Sequence, residues 1–411
     1  MEVIVATAIN NTTQLPLCSP IKNHLLREFV LVGILCTICV FVGIFANLTN
    51  IFIFGNRRMR KVPVNLFFIA LSAADSLLLI TSMFMLALPA IAGYYESISW
   101  ITRTRLLVPW FYPLALVAQT CSVWLTVAMA VFRCVGITLP LQAQDYCTAG
   151  NAKRAIIGVV TTCLLYNVPR FFEIQTHICY FESYRVTSED VVQTALRNHK
   201  QYQLVYHAIL SNLLLFAIPF AVLIASSVKI VKAVHHSLLI GFAFGSKNKG
   251  RQSLESRSSV RDPRRQQSRD RSTTQMLICV VLFFLICNVL AFVANIMELL
   301  MELRPDLAEN TQFKWIYFIL VDCGNLLAVV NSSMNIIIYV LFSQQYRLLL
   351  LRCVGWSKTQ DQGSLVGTKG PRTPEHTCVS RRNTKTPMGL SDNNRRSSDT
   401  ALMTAANEAN I

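Results

Sequence analysis

Charged side chains are scarce in this sequence, and their scarcity excludes an ordinary soluble domain. Only 15% of the 411 residues are Asp, Glu, Lys or Arg, whereas 53% are hydrophobic. A soluble domain usually carries about 25% charged residues. The apolar residues also fall into long blocks along the chain. We therefore predict an integral membrane protein embedded in a lipid bilayer.

The apolar blocks lack the alternation of apolar and polar residues that is typical of membrane β-barrel strands. The run Met276–Ile286, for example, is apolar throughout. Helices then remain as the way to satisfy backbone polar groups in lipid, and about 20 helical residues cross the hydrocarbon. The prediction is an all-α fold, a seven-transmembrane helix bundle. Its predicted spans are 27–54, 64–92, 107–135, 153–171, 203–234, 274–300 and 313–342.

Sequence patterns of enzymes and of many transporters are also missing. The soluble parts contain no nucleophile–base–acid constellation, no glycine-rich phosphate loop and no spacing of metal ligands, so an enzyme is not expected. There is no internal repeat, which many transporters contain. The mid-span position of Asp75 keeps a membrane ion transporter as the alternative from another functional class.

The formal net charge of +16 raises the question of nucleic acid binding, but its distribution argues against it. The basic clusters occupy alternate loops and the C-terminal tail, at Arg57–Lys61, Lys153–Arg154, Lys247–Arg271 and beyond Lys358. Short Lys/Arg-rich connections stay on the cytoplasmic side. We therefore predict an extracellular N-terminus, a cytoplasmic C-terminus and no nucleic acid partner.

The predicted organisation has three parts. Residues 1–26 form an extracellular segment without a signal peptide, and its sequons at Asn10 and Asn11 predict glycosylation. Residues 27–352 form the membrane-spanning helix bundle, with a disordered loop at about 235–273. Residues 353–411 form a disordered cytoplasmic tail.

A short amphipathic eighth helix is predicted after the last span, over Phe342–Cys353, on the inner membrane surface. Cys353 at its end is a candidate for palmitoylation. An unmodified thiol near the lipid is the other interpretation.

Polar residues inside the spans indicate a functional interior, because a charge at the bilayer centre costs roughly 2.5–3.5 kcal/mol. Asp75 lies in the middle of the second span and Ser122 in the third. Asn331 and Asn335 share one face of the seventh, being four residues apart. These oxygens predict either a bound sodium ion or a water-filled hydrogen-bond network. Arg133 closes the third span, where position alone indicates an interfacial anchor.

The order of these residues resembles the rhodopsin-like (class A) G-protein-coupled receptors over about 27–352. The resemblance is carried by Asn47, Leu71–Asp75, Arg133, Pro219 and Asn335–Tyr339. A narrower similarity, to invertebrate FMRFamide-type neuropeptide receptors, is carried by Tyr112–Leu116, Ser122–Val127, Val168–Glu173, Asn295–Glu298 and Asn331–Tyr339.

The resemblance implies a plasma-membrane receptor that is activated by an extracellular amidated neuropeptide of the FMRFamide type, ending in Arg-Phe-amide. Such a receptor signals to a heterotrimeric G protein. A receptor for another peptide is the alternative within this class. The resemblance assigns G-protein coupling and activation to Arg133, Tyr339, Phe284 and Asn288. It assigns the sodium pocket to Asp75, Ser122, Asn331 and Asn335.

The sequence also departs from the family pattern. Phe132 replaces the acid before Arg133, so this arginine lacks its usual partner. Asn288 and Leu290 replace the usual Trp and Pro of the sixth span, and Ile336 replaces a common Pro in the seventh.

The family's outer cysteine in the third span is also replaced, by Val108. Its usual bridge to Cys179 cannot form, and we hypothesise a Cys18–Cys179 disulfide instead.

Acids and aromatic rings at the outer ends of the spans predict the ligand site. A peptide guanidinium can pair bidentately with a carboxylate, and its Phe can bury among rings. The predicted peptide-binding residues are Glu298, Asp322, Glu173, Phe172 and Tyr112. Ordinary solvated loop charge is the other interpretation for most exposed acids.

The inner segments carry serines next to arginines. Ser258 and Ser259 lie in the third inner loop, and Ser397 and Ser398 follow Arg395–Arg396 in the tail. Kinases that recognise basic residues and then arrestin are the predicted partners. A polybasic stretch held near anionic lipid is the other interpretation.

Overall fold

The computed structural model describes residues 15–18, 26–182, 185–245 and 263–353, and every structural statement below concerns these residues. The predicted modification sites Asn10, Asn11, Ser258, Ser259, Ser397 and Ser398 lie outside them.

Seven helices of the described chain are long and apolar enough to cross a membrane, which confirms the predicted seven-helix bundle. They are α1 (Leu26–Phe54), α2 (Val64–Tyr94), α3 (Ile98–Thr138), α4 (Ala149–Phe172), α5 (Tyr202–His235), α6 (Thr274–Leu303) and α7 (Thr311–Phe342). A further helix, α8, covers Gln344–Cys353. Short helices at Pro140–Tyr146, Ala195–Asn198 and Pro305–Glu309 lie in the connections.

The third helix begins at Ile98 and not at residue 107, where hydropathy placed it. Arg103 and Arg105 lower the hydropathy of this first part without preventing helix formation. Arg105 forms an ion pair of 2.9 Å with Asp190 of a β-hairpin described below. The first part of α3 therefore contacts the hairpin through this ion pair.

The loop predicted to be disordered over 235–273 is shorter than expected. Helical structure continues beyond the span α5 to Gly245, and the helix that contains the span α6 begins at Pro263. Proline is favoured at the first position of a helix, and the Arg and Gln residues that follow it are good helix formers. Residues 246–262 lie outside the described chain.

A β-hairpin, which the sequence analysis missed, connects α4 to α5. Strand β1 (Ile174–Phe181) pairs antiparallel with β2 (Val186–Gln193), in the register that places Ile174 opposite Gln193. The β-branched residues of both strands were the available signal. The end of the bundle that carries this hairpin is called the hairpin end, and the opposite end is called the α8 end.

An aromatic cluster anchors the α8 end. Tyr346 of α8 is buried beside Phe54 and Tyr339, with ring centroids 5.3 and 5.8 Å away. Its hydroxyl donates to Oδ1 of Asn50 at 2.6 Å. Burial raises the pKa of Tyr346 above its usual value, so the hydroxyl stays protonated and remains a donor. These contacts fix α8 against α1 and α7.

Gly43 permits close packing of α1, α2 and α7. A Cβ atom at this position would lie 2.5 Å from Oγ of Ser333 and 2.7 Å from Cδ1 of Leu79. No side chain fits without displacing these neighbours. This close approach brings α7 beside the polar interior described next.

Candidate ligand-binding and signalling sites

Asp75 is the centre of a buried polar site between α2, α3 and α7. Its side chain is 0% exposed. Oδ1 accepts hydrogen bonds from Oγ of Ser122 at 2.7 Å and of Ser332 at 3.1 Å, and Oδ2 accepts one from Nδ2 of Asn335 at 2.8 Å. The structure thus joins three of the four residues predicted for a sodium pocket or a polar network. Asn331 is buried nearby but is not bonded to Asp75 in the described structure.

Sequence reasoning missed Ser332, although it lies three residues before Asn335 and therefore on the same helix face. The carboxylate of Asp75 and the hydroxyl oxygens of Ser122 and Ser332 are chemically suited to a small hard cation, which prefers oxygen ligands. Among the described residues, no Lys, Arg or His forms an ion pair with Asp75 to compensate its charge.

Arg133 lies at the α8 end of α3 and contacts α6. Its Nη2 donates to Oγ1 of Thr274 at 3.2 Å. Phe132, which stands in place of the family acid, packs on Phe67 with ring centroids 5.2 Å apart. Thr274 was absent from the predicted site, since nothing in its local sequence shows that it faces α3.

Tyr339 is fully buried in the aromatic cluster of the α8 end. Its ring lies 5.1 Å from Phe54 and 4.9 Å from Phe68, between centroids. Its hydroxyl has no hydrogen-bond partner within the described residues. A buried donor without an acceptor costs about 1–3 kcal/mol, so a movement of Tyr339 towards an acceptor would relieve that cost.

The α6 residues predicted to act in activation are both buried. Phe284 packs edge-on against Phe220 of α5, with centroids 6.3 Å apart. Nδ2 of Asn288 donates to the carbonyl oxygen of Phe284 in its own helix at 2.8 Å. A Cβ at Gly324 of α7 would lie 3.2 Å from backbone atoms of Ala291, so α6 and α7 approach closely just after the position where the family proline is absent.

Glu173 lies at the hairpin end of α4 and is 0% exposed. Oε1 accepts from Nη1 of Arg170 at 3.1 Å and from the hydroxyl of Tyr202 at 2.6 Å. Oε2 accepts from the hydroxyl of Tyr112 at 2.9 Å. Nη2 of Arg170 also donates to Oγ of Ser211 at 2.8 Å. This internal network connects α3, α4 and α5.

The network places two of the residues predicted for the ligand site in contacts within the protein. Glu173 and Tyr112 are hydrogen-bonded to each other, and Glu173 also to Arg170 and Tyr202. Phe172 is 64% exposed on the surface and is not part of the network. Sequence reasoning missed Arg170 and Tyr202, although Arg170 lies three residues before Glu173 on the same helical turn.

The other two predicted acids differ in their pairing. Asp322 of α7 forms a 3.0 Å ion pair with Arg27 of α1. Glu298 of α6 is half-buried, and no described residue forms an ion pair or a hydrogen bond with it. Of the three predicted carboxylates, Glu298 is therefore the one without an ion pair or a hydrogen bond within the described residues.

The described N-terminal residues are attached to the hairpin. Cys18 is joined to Cys179 of β1 by a disulfide. The backbone N–H of Cys18 donates to the carbonyl of Tyr180 at 3.1 Å, and Leu17 forms a parallel bridge with Tyr180. At the opposite end, Cys353 is exposed at the last position of α8.

Comparison with known proteins agrees with this architecture. Residues 34–357 match the family model described as serpentine type 7TM GPCR chemoreceptor Srw. The FMRFamide peptide receptor frpr-18 of Caenorhabditis elegans is 30% identical over 317 residues, which cover 76% of this chain and 67% of the relative.

Two further relatives cover similar shares. The FMRFamide receptor of Drosophila melanogaster is 28% identical over 85% of this chain and 59% of its own length. The probable G-protein coupled receptor frpr-1 of C. elegans is 26% identical over 80% of each chain. These matches favour a receptor over the ion transporter alternative. Because the family model covers more than half of its residues, this chain belongs to the Srw-type serpentine seven-transmembrane G-protein-coupled receptors and is a multi-pass membrane receptor, not an enzyme.

Proposed function

We propose that this receptor is activated by an extracellular amidated neuropeptide of the FMRFamide type. Two of its relatives are named as FMRFamide receptors. The observation that carries the proposal is Glu298, a half-buried carboxylate at the hairpin end with no ion-pair partner among the described residues. The arginine side chain of such a peptide can pair with this carboxylate through two parallel hydrogen bonds.

The local charge balance supports a cationic ligand. The guanidinium groups of Arg170 and Arg197 interact electrostatically with Glu298, and Arg197 does so with Glu302. Both arginines also form ion pairs with Glu173. Among the residues that these interactions join there are two cations and three carboxylates, of which Glu302 is exposed, so this group carries one negative charge in excess. One ligand guanidinium neutralises it.

Contacts at the α8 end of the bundle support the proposed coupling to a heterotrimeric G protein. Ligand binding shifts a two-state bundle towards a form that is open at the α8 end. Breaking the hydrogen bond from Arg133 to Thr274 releases this arginine to contact the G protein. Tyr339, whose buried hydroxyl has no described acceptor, moves inward to support the open form.

The proposed setting is the plasma membrane, with the N-terminus outside and the C-terminus inside, which the basic inner loops support. Glycosylation at Asn10 and Asn11 belongs to the outer face. Kinases acting on Ser397 and Ser398, followed by arrestin, would end signalling. Cys353 is exposed at the end of α8 and is the proposed palmitoylation site.

We further propose that the Asp75 site holds a sodium ion in the inactive receptor. The hydroxyl oxygens of Ser122 and Ser332 and the carboxylate of Asp75 would bind it. The cation would compensate a buried charge that no described basic residue compensates. A water-filled network around the same oxygens is the alternative, and sodium dependence of agonist binding separates the two.

The decisive test of the ligand class is a second-messenger assay in cells that express this chain. A library of amidated peptides that includes Arg-Phe-amide endings should give a selective response, and Arg133→Ala should abolish it at equal surface expression. Activation by peptides that lack a cationic side chain would identify a receptor for another peptide class. Silence across the library, with surface expression confirmed, would contradict the proposed ligand.

A further inference from the structure

Arg197 differs from its neighbours between the hairpin and α5. It lies in the short helix Ala195–Asn198, and it is the one residue of 195–200 that is not exposed. The start of this segment is fixed to the end of α4. The N–H of Thr194 donates to the carbonyl of Glu173 at 2.9 Å, and its hydroxyl donates to the carbonyl of Phe172 at 2.7 Å. The backbone therefore holds the Arg197 side chain in a defined inward position.

The guanidinium of Arg197 is close to acids but is not hydrogen-bonded to them through Nη1. This atom lies 3.9 Å from Oε2 of Glu173, which is an ion-pair distance beyond hydrogen-bond reach. It is buried and has no hydrogen-bond acceptor among the described residues. Glu173 is already occupied by Arg170, Tyr112 and Tyr202. Arg197 thus presents a buried donor for which the described part of the chain supplies no acceptor.

We propose that Arg197 determines the specificity of the receptor for an amidated peptide, by donating from Nη1 to the carbonyl oxygen of the ligand's C-terminal carboxamide. This inference rests on the proposed function and deepens it. The same ligand would place its arginine on Glu298, which lies within electrostatic range of Arg197. The ligand site therefore combines an acid for the peptide's cation with a donor for its C-terminal carbonyl.

The surrounding charge explains why the acceptor is an amide and not a free carboxylate. Arg197 is already compensated by Glu173, and Glu298 and Glu302 add further negative charge. A ligand carboxylate would restore the excess negative charge that the ligand's own guanidinium neutralises. A carboxamide offers an equivalent oxygen without that charge, so like-charge repulsion selects against the free acid.

A purely structural role predicts a different outcome. Arg197 would then only brace Glu173, and its removal would weaken every ligand equally. The two roles are separated by ligands that differ in the C-terminal group alone. Suitable probes are synthetic Phe-Met-Arg-Phe-amide, its free acid, and an analogue in which phenethylamine replaces the last residue and so lacks the carboxamide.

The experiment measures the potency of the three probes on wild type, Arg197→Ala, Arg197→Lys and the control Arg304→Ala. Arg304 is an exposed arginine paired with Asp306 at the same end of the bundle. We expect Arg197→Ala to weaken the amide by about 10- to 100-fold, the range for a hydrogen bond from a charged donor. The phenethylamine analogue should change by less than about threefold, within the error expected for independent sites. The potency of the amide on Arg197→Lys should lie between its potencies on wild type and on Arg197→Ala. Its potency on Arg304→Ala should equal that on wild type.

Equal losses for the amide and the analogue in Arg197→Ala would overturn this inference and leave the proposed function intact. Wild-type potency of the free acid equal to that of the amide would also overturn it. Silence of the wild type towards all three probes, with surface expression confirmed, would overturn the proposed ligand class and this inference together. In a supporting result, Glu302→Gln narrows the difference between amide and acid.

Discussion

Arg133 on α3 donates a hydrogen bond to Thr274 on α6, with 3.2 Å between Nη2 and Oγ1. The sequence has Phe132 where the family it resembles carries an acid. The hydroxyl of Thr274 therefore accepts a hydrogen bond from Arg133, which a carboxylate is expected to accept. This bond connects the two helices whose separation at the α8 end would admit a G protein. It is therefore a candidate restraint on the inactive state.

Removing this restraint should raise basal signalling. A hydrogen bond to a charged group contributes about 1.5–3 kcal/mol, and 1.4 kcal/mol is a factor of ten in an equilibrium constant. We expect Thr274→Ala to increase basal second-messenger production several-fold at matched surface expression. Thr138→Ala is the control, because Thr138 donates to Cys134 within α3 and makes no contact with α6 among its described bonds. Unchanged basal signalling in Thr274→Ala would refute this role.

The Asp75 site makes a prediction about sodium. Replacing sodium by a large organic cation should raise agonist affinity in the wild type, since the ion stabilises the inactive state, by about fivefold or more if the coupling is typical. Asp75→Asn should remove this dependence, and Asn335→Ala should reduce it because Asn335 orients the carboxylate. Asn331→Ala removes no bond to Asp75 among the described residues. The loss of sodium dependence in Asn335→Ala is therefore compared with the sodium dependence of Asn331→Ala. A wild type that does not respond to sodium would favour the water-filled network.

The disulfide makes a prediction about assembly of the hairpin end. Cys18→Ser and Cys179→Ser should each lower surface expression, because loss of a native disulfide typically costs about 2–5 kcal/mol. The double variant should be no worse than either single variant, since all three lose the same bond. Cys323→Ser, at a free cysteine of α7, should behave as wild type. Intact-mass analysis with and without reductant checks the bond directly, and free thiols at both positions would rule it out.

Close packing at Gly43 can be tested by comparing its substitution with that of a glycine that has no close neighbours. Gly43→Ala would place its Cβ 2.5 Å from Oγ of Ser333 and should destabilise the receptor by about 1–3 kcal/mol. At Gly158 of α4 an added Cβ meets nothing within 4 Å. Gly158→Ala should be neutral or stabilising, because Ala is the better helix former. Thermal inactivation of the detergent-solubilised receptor measures the stability of each variant. Equal stability of Gly43→Ala and Gly158→Ala would disprove the close packing at Gly43.

Two glutamates of the hairpin end should respond differently to the same substitution. Glu298→Gln removes the charge offered to the ligand and should weaken peptide potency about tenfold or more, with normal surface expression. Glu173→Gln breaks a buried ion pair, which costs about 3–5 kcal/mol, and should reduce surface expression. Radioligand binding and cell-surface labelling distinguish these losses. A potency defect confined to Glu173→Gln would reverse the assignment of the two acids.

Most of the polar site around Asp75 could be predicted from the sequence. Asp75, Ser122 and Asn335 were predicted together and meet in the structure, because a buried carboxylate in lipid needs polar partners and such partners are rare in apolar spans. Asn331 was predicted with them and Ser332 was not. The rotation of α7 about its axis decides whether Asn331 or Ser332 faces Asp75. Packing against α1 and α2 at Gly43 contributes to that rotation.

The acids of the hairpin end were harder to predict. Glu173 follows an apolar span directly, and from its sequence it could not be distinguished from a solvated acid. It is buried because Arg170, Tyr112 and Tyr202 come together from three helices. Arg197 was overlooked for the same reason, since its inward position depends on a hairpin that hydropathy does not detect.

The sequence by itself determined the seven helices and their approximate limits. That information is local, because each apolar block must satisfy its own backbone hydrogen bonds within the bilayer. Only the tertiary structure decided which polar groups are paired and which are left for a ligand or a G protein. The hydrogen bonds of Arg133 with Thr274, and of Glu173 with Tyr112 and Tyr202, join residues far apart in the chain. The positions of those contacts are set by the packing of whole helices and not by any short stretch of sequence.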